Sequence, residues 1–160
     1  MILRDYGGRR CSEMGFVARK IERHELDKLL DLYGHLHDEE VPARERLDRA
    51  WELITGHGRF FTCFAVEADG RFVSSCCIAI IPNLTRGARP YAVIENVITR
   101  PGYRRKGLGR IVMQKAIEHA RGENCYKVML LSGAAREDAH RFYVKLGFST
   151  DCKKGFVLNA

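Results

Sequence analysis

The sequence predicts a mixed α/β fold, a β-sheet carrying helices on its faces. Helical apolar spacing is confined to separate stretches near the front, the middle and the end of the chain, and β-rich runs fill the space between them. One strand turns abruptly into a helix through "RPGYRRKGLGR" (100–110), which holds five basic residues, three glycines and no acid. The chain has 160 residues, the size of one ordinary domain with a real core. It contains no repeat, low-complexity tract or Pro/Ser linker, so a single domain over 16–160 is expected, preceded by a loose N-terminal tail over 1–15.

The elements follow in order. Leu26, Leu29, Leu30 and Tyr33 stand at i, i+3, i+4 and i+7, which predicts a helix stopped at Gly34. A second helix is predicted where Pro42 suits a first turn and Leu47, Ala50, Trp51 and Ile54 repeat the spacing before Gly56. The period then changes. "RFFTCFAVEADGRFVSSCCIAII" is two β-rich runs around Asp69-Gly70, a strong signal for a short hairpin. A turn-rich "PNLTRGARP" leads to another strand, "YAVIENVIT". Beyond the glycine-basic stretch, Leu108, Val112, Ala116 and Ala120 share one side of a helix, with Arg110, Gln114, Glu118 and Arg121 on the other. "CYKVMLLS" is nearly all apolar, as a covered parallel strand would be. Ala139, Phe142, Tyr143 and Leu146 mark a last helix closed by Gly147, and "FSTDCKKGFVLNA" is expected to add a terminal strand or hairpin.

Composition narrows the function. With 46% hydrophobic and 29% charged residues the chain reads as globular, and a net charge of +7 suits a polyanionic partner without choosing one. No apolar run approaches the ~20 residues of a membrane helix. Arg9-Arg10 is followed by Cys11, Ser12 and Glu13 where a twin-arginine export signal would turn apolar. The six cysteines form no C-x-x-C pair, so reduced core thiols, a cytoplasmic location and no metal are expected.

A strand that turns through glycines into a helix leaves the first helical N–H groups pointing into the loop. That is a ready anion site, which the helix dipole strengthens. Two nucleotide motifs fail on particular residues. Gly102 and Gly107 have the gap of a P-loop, but Leu108-Gly109 stands where Lys-Ser/Thr is required. Gly107-Leu108-Gly109 begins a dinucleotide fingerprint, yet Val112 occupies the third glycine position.

What remains is Arg104-x-x-Gly107-x-Gly109 after a strand and opening a helix. This resembles the coenzyme-A pyrophosphate loop of the GCN5-related N-acetyltransferases, and "YAVIENVITRPGYRRKGLG", "CYKVMLLSG" and "AHRFYVKLGF" look like that family's fourth strand, fifth strand and final helix. The resemblance implies the GNAT fold, a mixed, mostly antiparallel twisted sheet of six to seven strands with about four helices on its faces. "VIENV", "CYKVML" and "FYVKLGF" look closest to the branch containing glucosamine-6-phosphate N-acetyltransferases, which typically has Glu-Asp where this chain has Glu95-Asn96.

The resemblance further implies an acetyl-CoA-dependent transfer to a primary amine of a small molecule, an amino sugar among the candidates, by a homodimer. Backbone groups of Val97, Ile98 and Thr99 would run beside the pantetheine arm, one amide polarising the thioester carbonyl. The amides from Arg105 through Lys106, Gly107, Leu108 and Gly109 to Arg110 would hold the pyrophosphate, with the Arg104, Arg105 and Lys106 side chains as further phosphate contacts or solvated surface. Tyr143 matches the tyrosine that protonates the departing thiolate, with Ala139 and Arg136 preceding it at the family spacing, although Arg136 replaces the usual asparagine. A phenol, protonated at neutral pH, can serve as that acid, and Tyr143 also fits a core position beside Phe142.

Glu95 is an acid inside an apolar strand, where burial or a ligand must account for it, as a general base or in a buried ion pair. Asn96 faces the other way in an ideal strand unless a bulge re-aims it. The acceptor is expected near His35, His37 and the acids after them, and near Asn83 in the "PNLTRGARP" loop, with a solvated loop as the alternative. The rival classes are a basic nucleic-acid-binding module, which lacks interleaved aromatics or a helix-turn-helix, and a coenzyme-A-binding regulator without catalysis. A nucleic-acid or membrane partner is not expected.

Overall fold

A computed structural model describes residues 15–36, 42–56, 58 and 60–158. The tail expected over 1–15 lies almost entirely outside the described residues, as do His37 and the three acids that follow it. Among the described residues the order is β1 (Ala18–Lys20), α1 (Leu26–Tyr33), α2 (Arg44–Gly56), β2 (Phe61–Ala68), β3 (Arg71–Ile81), β4 (Tyr91–Thr99), α3 (Leu108–Gly122), β5 (Val128–Met129) and α4 (Glu137–Lys145). The five strands lie side by side in chain order, antiparallel from β1 to β4, with β5 parallel to β4. This is the mixed, mostly antiparallel sheet with four α-helices.

Local chemistry explains most of the elements. Asp69 and Gly70 both adopt positive φ, 50° and 72°, the pairing a two-residue hairpin turn demands, so β2 and β3 fold back on each other. Leu108, Val112, Met113, Ala116 and Ala120 of α3 are buried, the stripe the sequence predicts with Met113 added. They pack with Phe64, Val66, Ile78 and Ile94 on one face of the sheet. On the other face Leu26, Leu29 and Leu32 of α1 and Trp51 of α2 meet Ala65, Phe72, Cys77 and Ile98. The apolar face of α2 is narrower than its spacing predicts, because Ala50 is exposed and Trp51 alone is buried, its indole N–H donating to the Arg23 carbonyl at 2.6 Å.

β4 carries the feature that shapes everything downstream. Ser75 pairs with Ile98 and Cys77 with Glu95, so two residues of β4, Asn96 and Val97, oppose Cys76 alone. Asn96 has φ 52°, a β-bulge in the middle of the strand. The extra residue reverses the alternation: Ala92 and Ile94 face α3, whereas Ile98 falls on the α1 side.

Among the described residues the strand count is five rather than six to seven. Residues 148–158 form no strand, and Phe156, Val157 and Leu158 are exposed. "CYKVMLLS" is correspondingly an open edge rather than a covered strand. Its ladder with β4 contains only Ala92–Val128 and Val93–Met129, and Met129 and Leu131 face solvent. Among the described residues no strand pairs with its outer side, and the terminal segment lies against it as irregular chain, with Gly155 beside Leu131.

Candidate active site

Once the β4–β5 ladder stops at Val93–Met129, the two chain segments part. The wedge between them is a cavity of about 160 Å³ whose walls are Ile94 to Val97 on one side and Leu130 to Gly133 on the other, closed by Leu36, Arg136 and Tyr143. The ladder ends just before the bulge, so β4 turns an unaccompanied backbone edge toward the cavity. Backbone N–H and C=O groups at such an edge bind an extended, amide-bearing ligand as another strand would.

Glu95 and Tyr143, from the middle of β4 and the last turns of α4, both line this wedge. Of the two accounts the sequence leaves open for Glu95, burial or a ligand, burial does not hold. The side chain is exposed on the cavity wall, and among the described residues it makes no ion pair. The bulge re-aims Asn96 into the same cavity. Tyr143 is half-buried between Phe142 and Phe148, with ring centroids at 5.3 and 6.1 Å. Burial pushes its phenol above the ordinary value, opposed by the neighbouring Arg136 guanidinium, so it keeps its proton across the neutral range. Arg136 caps the start of α4, and Ala139 is half-buried one turn on.

The anion loop begins where β4 ends. Pro101–Tyr103 makes a single 3-10 turn, Arg105 and Gly107 take positive φ of 60° and 81°, and Gly107 is the N-cap of α3 with no side chain capping it. The first amides of a fifteen-residue helix are therefore left open at a site walled by exposed Arg104, Arg105, Lys106 and Arg110. A Cβ on Gly109 would sit 3.3 Å from Thr99 Oγ1 and 3.4 Å from the Phe142 ring, so this glycine lets α3 approach β4 and α4 together. Leu108 is 1% exposed, and only its backbone can serve an anion.

The basic side chains divide. Arg104 folds back, its Nε donating to the Thr99 carbonyl at 3.1 Å, and Lys106 lies 4.9 Å over the Tyr103 ring. Arg105 and Arg110 are exposed and make no hydrogen bond or ion pair among the described residues. Within β4, the Ile98 carbonyl accepts from Ser74 Oγ at 3.0 Å, and Thr99 Oγ1 lies 2.8 Å from the same hydroxyl. Those contacts tie Ile98 and Thr99 to β3 and leave Val97 as the residue of that trio that lines the wedge.

The acceptor candidates scatter. His35 Nε2 meets Arg100 Nη1 at 2.8 Å while Arg100 Nη2 donates to Asp31 at 2.6 Å, a cluster at the end of α1 beside Leu36. Asn83 spends its amide within its own loop, on the Thr85 carbonyl at 2.8 Å and the Arg89 carbonyl at 3.3 Å, and lies outside the wedge. Sequence reasoning passed over Ser132, whose hydroxyl oxygen is buried in the wedge wall without a hydrogen-bond partner. Only its place after an apolar strand could have flagged it. A larger cleft of about 560 Å³ lies between α3, β5 and the terminal segment, and contains none of the wedge's polar residues.

Comparison with known proteins identifies relatives of the chain. A glucosamine 6-phosphate N-acetyltransferase of Trypanosoma brucei brucei is 35% identical over 130 residues, 81% of this chain and 86% of that protein. A solved structure from Agrobacterium tumefaciens str. C58, named only as an acetyltransferase, superimposes with a TM-score of 0.82 at 39% identity, over 89% of this chain and 99% of that one. The fold is shared as well by an aminoglycoside N-acetyltransferase solved with CoA, at 15% identity and a TM-score of 0.76, over 90% of this chain and 94% of that one. The acetyltransferase (GNAT) family profile matches residues 25–148, which take in both walls of the wedge and the anion loop, and the chain belongs to that family of N-acetyltransferases.

Proposed function

We propose that the domain from residue 16 onward moves an acetyl group from acetyl-CoA directly to the primary amine of an amino sugar 6-phosphate. The observation that carries this reading is the wedge, which places Glu95 and Tyr143 on one cavity at the open edge of β4. The choice of acceptor follows the name of the trypanosomal relative. Acetyl-CoA supplies the thioester. The open amides at the start of α3 hold its pyrophosphate, and Arg105 and Arg110 screen the remaining charge. A backbone amide at the bulge polarises the carbonyl. Glu95 takes the proton the amine gives up as the N–C bond forms, directly or through a water molecule. Tyr143 gives its phenolic proton to the sulfur as the C–S bond breaks, and Arg136 beside it steadies the phenolate that results.

The test is thiol release from acetyl-CoA with glucosamine 6-phosphate, glucosamine and a polyamine offered in parallel. Release that depends on the amine, with the phosphorylated sugar favoured at least tenfold in kcat/KM, is expected. Equal turnover of glucosamine would sink the phosphate part of the proposal. Calorimetric titration with desulfo-CoA and a short oligonucleotide at two salt concentrations separates the enzyme from a nucleic-acid binder, since oligonucleotide binding alone would overturn it.

The protein is further read as a homodimer in a reducing, cytoplasmic setting. Supporting the dimer are the exposed Phe156, Val157 and Leu158 and the exposed Met129 and Leu131 at the open β5 edge, apolar surface that a second copy would cover. The described cysteines are unpaired, and no described helix is long and apolar enough to cross a membrane. Sedimentation should report a dimer for the full chain and a monomer once the chain is cut after Ser149.

A further inference from the structure

Behind the bulge, on the α1 side of the sheet, lies a pair of thiols that the transfer reaction does not use. Cys63 on β2 stands directly opposite Cys77 on β3, with the sulfurs 2.7 Å apart. The ladder explains why they meet. Ile80 N–H donates to the Phe60 carbonyl at 2.7 Å, making that pair hydrogen-bonded. Antiparallel pairs alternate, so Phe61–Ala79 is non-bonded, Thr62–Ile78 bonded and Cys63–Cys77 non-bonded. The Cys63 carbonyl agrees, since it accepts from Ile21 N–H on the β1 side at 2.9 Å. Non-bonded partners have Cα atoms about 4.5 Å apart, inside the range of about 4.4 to 6.8 Å that a disulfide spans. No backbone movement is required to join them.

Cys77 ties the pair to the site. Tyr33 of α1 places its hydroxyl 3.1 Å from Cys77 Sγ, and Asn96 of the wedge wall lies next in β4 to Glu95, the residue that pairs with Cys77. We propose that Cys63 and Cys77 form a redox site, closing to a cross-strand disulfide under a peroxide oxidant and reopening under a thiol reductant. Cys77, whose sulfur has both Cys63 and Tyr33 within hydrogen-bond reach, is the attacking sulfur, whereas the hydrogen bond to Cys77 and burial push Cys63 up and it keeps its proton. Cys77 sulfur attacks one peroxide oxygen, the O–O bond breaks, and the sulfenic acid forms with hydroxide leaving. Cys63 sulfur then displaces that oxygen and gives up its proton, so the S–S bond forms and water leaves. In sum two thiols and one peroxide become one disulfide and two waters, two electrons passing from sulfur to oxygen.

Cys76 is the internal control. It is buried like its neighbour, yet it faces α3, where its thiol contacts the Val112 carbonyl at 3.6 Å and has no thiol opposite. The whole chain, with Cys11, Cys125 and Cys152 replaced by serine, is treated with hydrogen peroxide, unfolded and alkylated, and its peptides are weighed. The expected result is the loss of two alkylatable thiols of three, a peptide joining Cys63 to Cys77, a mass lower by two hydrogen atoms, and full recovery with dithiothreitol. Cys63→Ala and Cys77→Ala should each abolish the joined peptide, and Cys76→Ala should leave it intact. Three alkylated thiols after oxidation, oxygen addition without a bond, or a joined peptide whose fragmentation puts the bond on Cys76 and the alkyl group on Cys77 would each overturn the proposal. The readout is covalent, so it stands whatever amine the enzyme accepts.

Discussion

In the proposed mechanism Tyr143 is the acid, and its surroundings set the pH behaviour. An acid must hold its proton to give it away, and burial raises the Tyr143 phenol above its ordinary value near 10. No loss of kcat from this group is therefore expected below about pH 10. Tyr143→Phe should lower kcat by about a hundredfold with coenzyme affinity unchanged, measured by steady-state rates beside calorimetry. Tyr143 was legible because its spacing from Arg136 and Ala139 could be matched. Glu95 was legible as an anomaly, an acid in an apolar strand, but its exposure was not, because nothing in "VIENV" announces that the neighbouring strand ends two residues earlier. Ser132 and the opposed thiols were invisible for a related reason: each depends on which residue of another segment lies across from it.

Elements carry their own predictions. Gly109 lets α3 close on Thr99 and Phe142, so Gly109→Ala must push one of them aside. A cost of about 1–3 kcal/mol is expected, read from denaturant unfolding, with weaker coenzyme binding as the helix start shifts. At the opposite end of the sheet, Glu25 is 6% exposed and accepts from Arg19 at 2.7 Å, and that guanidinium holds its carboxyl down to about 2. A depressed carboxyl stabilises the fold above its unfolded value and loses that contribution as pH falls toward its folded one. The melting temperature of the wild type should exceed that of Glu25→Gln at pH 6, and the gap should close between about pH 4.3 and pH 2. Helices and the hairpin were readable from the chain because spacing and the Asp69-Gly70 turn are local signals. The terminal strand was misread because apolar residues at "GFVL" show that a strand is possible and not that a partner is present.

At the scale of the molecule, a net charge of +7 is spread over a surface whose densest basic stretch is the 100–110 loop. Coenzyme association should slow as salt rises, since that field steers an anionic ligand. The parting of β4 from β5 has a different consequence. Every residue beyond Val93 on that edge gives up a ladder partner, and the sheet remains one neighbour short until something extended fills the gap. On the proposed function the coenzyme would fill that gap, finishing the tertiary structure as well as reacting in it. At a coenzyme concentration a hundred times Kd the fold should gain about 2.7 kcal/mol, and amide hydrogen exchange along β4 should slow while the β2–β3 hairpin hardly changes. Occupancy by coenzyme would then govern how long the chain survives proteolysis, so that a cell short of acetyl donors would also hold less of the enzyme that consumes them.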